Sequence, residues 1–182
     1  MPPFSGIPEP PPASQPPLEA MLACNQRLLR HCASLRRLVL YLAGCGCDVQ
    51  AQEAIKALLH FFDQVLPLHH ADEEHALFPA LIESMAGSDA VCLHEITEGL
   101  AVQHHELQRQ WLLLRPALQD VAAGRSGSLS VRQVEALLQR CQACAAIEGD
   151  ELLPMAQRLL TQGQLEAIAA AMQQRRAAAI GG

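Results

Sequence analysis

Apolar residues recur along this chain at intervals of three and four, and the recurrence persists through four long stretches separated by short polar turns. The first stretch runs from about Leu18 to Ala43 and stops at Gly44-Cys45-Gly46. The second runs from about Val49 to Met85 and ends at Gly87-Ser88-Asp89, which also suits the cap of the next helix. The third spans roughly Asp89 to Ala123 before Gly124-Arg125-Ser126-Gly127. The fourth begins near Ser130 and reaches about Thr161, after which Gly163 introduces a short Ala-rich helix. Almost nothing alternates with period two, so no sheet is expected. Short connections make consecutive helices antiparallel neighbours. The predicted fold is therefore all-α, an up-down-up-down four-helix bundle over residues 18–162 with a short extra C-terminal helix in 163–182.

Tracing one face of each helix gives four stripes. The first carries Met21, Asn25, Leu28, Cys32, Leu35, Val39 and Leu42. The second carries Ile55, Leu59, Phe62, Leu66, His69, Glu73 and Leu77. The third carries Leu93, Thr97, Leu100, His104, Leu107, Trp111 and Leu114. The fourth carries Val134, Leu137, Cys141, Cys144, Glu148, Leu152, Met155 and Leu159. Each stripe is apolar except near its middle, where His69, Glu73, His104 and Glu148 fall. In "HHADEEHALFPAL" (69–81), this places His69 and Glu73 inward and His70 and Glu74 one step round on the flank.

Two carboxylates inside a bundle are costly unless paired, and no Lys or Arg lies on any of the four stripes. A cation is the natural partner, and a His-plus-carboxylate set suits iron, manganese or zinc. A polar layer of His–Glu hydrogen bonds is the alternative use of the same residues. Prolines 67, 79, 116 and 154 fall inside the helical patterns and should kink or end them locally. Pro67, just before the His pair, is best placed to shape a site.

Composition narrows the picture. Half of the 182 residues are apolar but only 3% are aromatic, so Leu and Ala carry the packing. The net charge is −6, with a single lysine, Lys56. No basic stripe or aromatic platform suits a nucleic acid, and no apolar run approaches a membrane span. Seven cysteines without an export signal point to free thiols in a reducing cytoplasm. Cys45-Gly-Cys47 and Cys141-Gln-Ala-Cys144 do not repeat as zinc-ribbon pairs do. Residues 1–17 hold eight prolines and are expected to form a disordered tail.

The chain also repeats itself. "NQRLLRHCASL" (25–35) superposes on "HHELQRQWLLL" (104–114), and "HHADEEHALFPAL" on "CAAIEGDELLPMA" (144–156). Asn25 then matches His104, His69 matches Cys144, and Glu73 matches Glu148. In both latter segments a proline follows the inward Glu by six residues.

With "LHHADEEHALFPAL", "QHHELQRQWLLLRPAL" and "EGDELLPMAQRLL" in place, the chain resembles the hemerythrin-like HHE cation-binding family over about residues 18–162. The resemblance implies a four-helix bundle holding two irons, bridged by carboxylates of the second and fourth helices and capped by histidines. Carried over, it assigns His69, Glu73, His104 and Glu148 as ligands. The family's pattern also places a histidine near Asn25 and another at Cys144, and this sequence departs at both. Cys144 remains a possible thiolate ligand, with His31 and His70 as substitutes from neighbouring positions.

The expectation is a metal-binding domain rather than a turnover enzyme, binding one or two irons for sensing or storage, with O2 or another small oxidant as partner. Two alternatives stand beside it: a metal-free bundle serving protein interaction, and a weak oxidase- or peroxidase-like enzyme. Rival constellations are thin. No Glu has a His three residues later, as ferritin-like di-iron sites require. His94, Glu98 and His105 share an outer flank.

Overall fold

The computed structural model describes residues 15–84, 89–125 and 128–181. The expected tail falls mainly on 1–14, outside the described residues, as do Gly87, Ser88, Ser126 and Gly127 of the expected turns. Five helices make up the described structure, and there is no strand among the described residues. We label them α1 (Pro17–Cys45), α2 (49–84), α3 (Asp89–Ala122), α4 (131–159) and α5 (Gln162–Gly181). No helix is long and apolar enough to cross a membrane, among the described residues.

Local chemistry sets the helix ends. Pro17 opens α1, where its missing N–H is no loss. Gly46 closes it with φ +72°, a conformation glycine adopts without strain. Asp48 caps α2 by accepting from the Ala51 N–H at 2.9 Å, while the Tyr41 hydroxyl donates to its second oxygen. Ser130 caps α4 by accepting from the Gln133 N–H. Thr161 and Gln164 exchange side-chain-to-backbone bonds, forming a capping box at the start of α5. This box, rather than Gly163, starts the last helix. The helix runs for 20 residues and packs against α1 and α2.

α1 to α4 pack in sequence, each on the next, and α4 closes the ring on α1. The apolar interior falls into two bodies. One is built around Leu28, Leu35, Phe62, Trp111 and Leu137, the other around Met21, Leu77, Leu81, Leu100 and Leu152. In the first, Trp111 stacks on Phe62 at 4.5 Å and donates its indole N–H to Asp63 at 2.7 Å; Arg115 donates to the same carboxylate. Between the two bodies lie the buried polar residues Asn25, His69, Glu73, His104 and Glu148.

Three turns of the bundle are widened to i→i+5 hydrogen bonding: Phe61–Val65, Glu73–Leu77 and Glu148–Leu152. Each begins six residues before a proline, Pro67, Pro79 or Pro154. A proline ring crowds the carbonyl four residues earlier and supplies no N–H, and one extra residue in the preceding turn relieves both problems. Pro116 lies on the exposed side of α3, and the helix runs through it without such a turn.

The added residue moves the buried face by one position. Beyond Glu148 the buried residues are Leu152, Leu153, Ala156 and Leu160, whereas Met155 and Leu159 of the predicted stripe are only partly buried. In α2, ahead of its first wide turn, Leu58 is buried and Leu59 only partly so.

Candidate metal centre

His69 and Glu73 lie one turn apart on α2, His104 on α3, and Glu148 on α4, all buried at the middle of the bundle. Each glutamate presents one oxygen to each histidine. Glu73 Oε1 is 3.6 Å from His69 Nε2, and its Oε2 is 3.5 Å from His104 Nε2. Glu148 Oε2 is 3.6 Å from His69 Nε2, and its Oε1 is 3.3 Å from His104 Nε2. The four side chains thus form a two-fold arrangement with a histidine at either end and two carboxylates across the middle.

The two positions at which the chain departs from the family pattern complete the ends. Asn25 Oδ1 accepts a hydrogen bond from His69 Nε2 at 2.9 Å. The Cys144 thiol donates to Glu148 Oε1 at 2.9 Å. Donor atoms of His69, Glu73 and Glu148 lie within 4.8 Å of one another, as do those of His104, Cys144 and Glu148. The structure therefore brings together His69, Glu73, His104, Glu148 and Cys144.

It places the two substitutes elsewhere. His31 is buried against Phe61, its ring 4.2 Å from the phenyl ring, and no described contact takes it to the cluster. Burial first, then Arg27 and Arg30, lower its pKa to about 4. His70 lies face to face with His104 at 3.8 Å, with a tilt of only 2°. It flanks the cluster as a flat wall, and its described contacts are with rings rather than carboxylates. Burial and the neighbouring His104 and His69 push it well below the ordinary imidazole range.

One participant was missed among the sequence-derived candidates. Glu74 Oε1 accepts from His104 Nδ1 at 2.7 Å, which fixes the ring and leaves Nε2 facing Glu73 and Glu148. Its signal was present in the Glu73-Glu74 doublet, since a flank residue of α2 faces α3. Asp72 was also missed. It is almost wholly buried and takes hydrogen bonds from Arg175 and Arg176 of α5, residues about a hundred positions away. No local pattern signals such a pairing.

Electrostatics separate the two central carboxylates. Burial, and then the facing Glu148, raise Glu73 well above the ordinary carboxylate range. Burial also raises Glu148, but the hydrogen bond from His104 and the neighbouring His69 imidazole outweigh it and hold that carboxyl low. For His104, burial disfavours the charged ring, yet the bonds to Glu148 and Glu74 outweigh it and raise the pKa.

The donor set fits a cation. Both oxygens of Glu73 are buried without a hydrogen-bond partner, and no Lys or Arg contacts either central glutamate among the described residues. Buried oxygens of this kind are costly, and a metal ion between the carboxylates and imidazoles would satisfy them.

A family model for the hemerythrin HHE cation-binding domain matches residues 17–174, nearly the whole described bundle. The chain belongs to the hemerythrin HHE cation-binding family. An uncharacterized protein of Haemophilus influenzae is 26% identical over 132 residues, covering 72% of this chain and 74% of that one. The family is described by its cation binding, in keeping with the buried polar layer and the two donor clusters of this hemerythrin domain.

Proposed function

We propose that this hemerythrin domain binds iron, which His69, Glu73, His104 and Glu148 would hold, and serves in sensing or storage rather than turnover. The observation that carries this reading is the exchange of oxygens: each glutamate offers one oxygen to each histidine. Asn25 and Cys144 would complete the ends, the first with an amide oxygen and the second with a thiolate. Iron bound there would supply redox chemistry toward O2 or another small oxidant. The protein's part is to hold the ligands, to orient His104 through Glu74, and to exclude water with the apolar bodies on either side. The six cysteines whose side chains are described are free thiols, which supports a reducing cytoplasmic setting.

The test is a metal-to-protein ratio with an optical spectrum, using untagged protein. About two irons per chain, with absorption characteristic of a bridged ferric pair, is the expected result. Less than about 0.1 iron, manganese or zinc per chain, with no stabilisation on adding metal, rejects the reading.

A second reading draws on the same two departures. Asn25 bonds His69 and Cys144 bonds Glu148, so part of the cluster is satisfied by protein groups alone. A metal-free bundle serving protein interaction would use them in that way. Under that reading Asn25→His with Cys144→His creates iron binding that the wild type lacks; two irons in the wild type reject it.

A further inference from the structure

Beside His69 the bundle opens into a cavity of about 370 Å³ between α1, α2 and α5. Its walls are mostly apolar, with Met21, Leu68 and Met172 prominent, and exposed Gln64 and Ala179 stand among its lining residues. Two guanidinium groups, Arg27 and Arg176, contribute to the lining, and no Asp or Glu does.

The charge of this cavity is unbalanced. Arg27 Nε is buried without a hydrogen-bond partner. Its described contacts are a long bond from Nη2 to the Cys24 sulfur at 3.8 Å and the Phe61 ring, 5.9 Å from the guanidinium carbon. No carboxylate pairs with it among the described residues; the same is true of the exposed Arg30, Arg37, Arg132 and Arg158, and the buried Nε is what sets Arg27 apart. Arg176 shares the single carboxylate of Asp72 with Arg175, which leaves one positive charge of that trio unmatched. A buried donor with no acceptor is expensive, and a planar carboxylate is the acceptor whose shape matches a guanidinium.

We propose that this cavity is a binding site for an amphipathic monocarboxylate, an acyl acid of about six to ten carbons, sized for the lower end of ligand-pocket volumes. The carboxylate is held by Arg27, and the chain lies along Met21, Leu68 and Met172. Inorganic anions would leave those apolar walls unused, alkanes would leave Arg27 Nε without an acceptor, and neutral alcohols would offer a hydroxyl oxygen but no charge to balance the guanidinium. The site requires no metal, so it stands or falls separately from the iron reading.

The test uses the full chain, both as purified and after chelation, with sodium octanoate as probe and 1-octanol and sodium acetate as controls. Calorimetry should show one octanoate bound per chain, at least about tenfold tighter than either control, with a rise in Tm. Arg27→Gln should weaken octanoate by about tenfold or more while changing octanol by much less. Because Arg27 also packs on Phe61, Ala179→Trp provides a second variant, which obstructs the cavity at an exposed position and keeps the charge. Octanoate binding no tighter than octanol or acetate overturns the proposal, as does equal octanoate affinity in folded Arg27→Gln or in Ala179→Trp. Uptake of many octanoates per chain, as at a detergent-like surface, overturns it too.

Discussion

Asn25 and His69 are joined by a 2.9 Å hydrogen bond in which the imidazole Nε2–H donates to the amide oxygen. The same nitrogen faces Glu73 and Glu148. In this state His69 spends its inward nitrogen on a proton, which must leave before the nitrogen can serve as a ligand. The amide nitrogen of Asn25 is buried and unpartnered, so the residue is only half satisfied. Asn25→His replaces a weak oxygen donor with an imidazole. It should raise iron affinity on the order of ten- to a hundredfold in a competition titration with a chelator. An unchanged or lower affinity would show that position 25 does not face the metal.

Glu73→Gln should separate binding from stability. The folded chain holds the Glu73 proton more tightly than the unfolded chain does, because of burial and then Glu148. Such a group favours folding below the ordinary carboxylate range and loses that contribution as pH rises toward its folded pKa. Without metal, the glutamine variant should therefore equal or exceed the wild type near pH 8, by up to about 1–3 kcal/mol in urea unfolding. Iron should no longer stabilise it. A metal-free variant much less stable than wild type would contradict this account.

Glu74→Gln tests the orientation of His104. Burial works against the charged imidazole, and bonds to Glu148 and Glu74 outweigh it. The stability gained from that charge is present below the ordinary imidazole range and is lost as pH rises through the raised folded value. Removing the Glu74 charge should lower the His104 pKa in an NMR titration and reduce metal affinity about tenfold or more. A His104 titration identical to wild type would deny Glu74 this role.

His31→Leu should change acid stability without touching metal uptake. The wild-type ring has a folded pKa of about 4, because of burial and then the charges of Arg27 and Arg30. The unfolded chain takes up the proton first, so stability declines as pH falls from the ordinary imidazole value toward 4. The leucine variant should lack about 1–2 kcal/mol of that decline, measured as the wild-type-minus-variant difference between pH 7 and pH 4.5. Iron stoichiometry should match wild type; its loss would return His31 to the ligand set.

Asp72→Ala should loosen α5. Its carboxylate is almost wholly buried and receives both Arg175 and Arg176. Removing a charged acceptor of this kind costs about 1.5–3 kcal/mol. Hydrogen exchange should quicken selectively in Gln162–Gly181, while the α1 to α4 core remains protected. Uniform quickening throughout the chain would mean that Asp72 supports the whole fold instead.

The four-helix bundle was legible in the sequence because each of α1 to α4 carries an apolar stripe and turn residues such as Gly46 and Ser130 bound the helices. The inward set was legible for the same reason: His69, Glu73, His104 and Glu148 interrupt those stripes at one level. What escaped depends on through-space partners or on local departures from 3.6 residues per turn. Arg175 and Arg176 sit on an Ala-rich helix whose composition gives no strong face, so nothing nearby points to Asp72. Counting by threes and fours kept Met155 and Leu159 on the stripe because it could not register the extra residue after Glu148. His31 and His70 each lie one position from a stripe. Their rings found aromatic partners, Phe61 and His104.

The wide turns at Glu73 and Glu148 have a consequence for how this domain can change. Each absorbs one residue between the half of its helix that leads into the buried His and Glu cluster and the half that ends in buried Leu81 or Leu160. Deleting that residue would turn everything beyond it by roughly 100°, the angular step of one helical position. The turns thus act as phase joints: rotation of the ligand end and rotation of the packing end are set independently. A substitution such as Cys144 can then alter one end of the cluster while Leu152, Leu153 and Ala156 keep their places in the core.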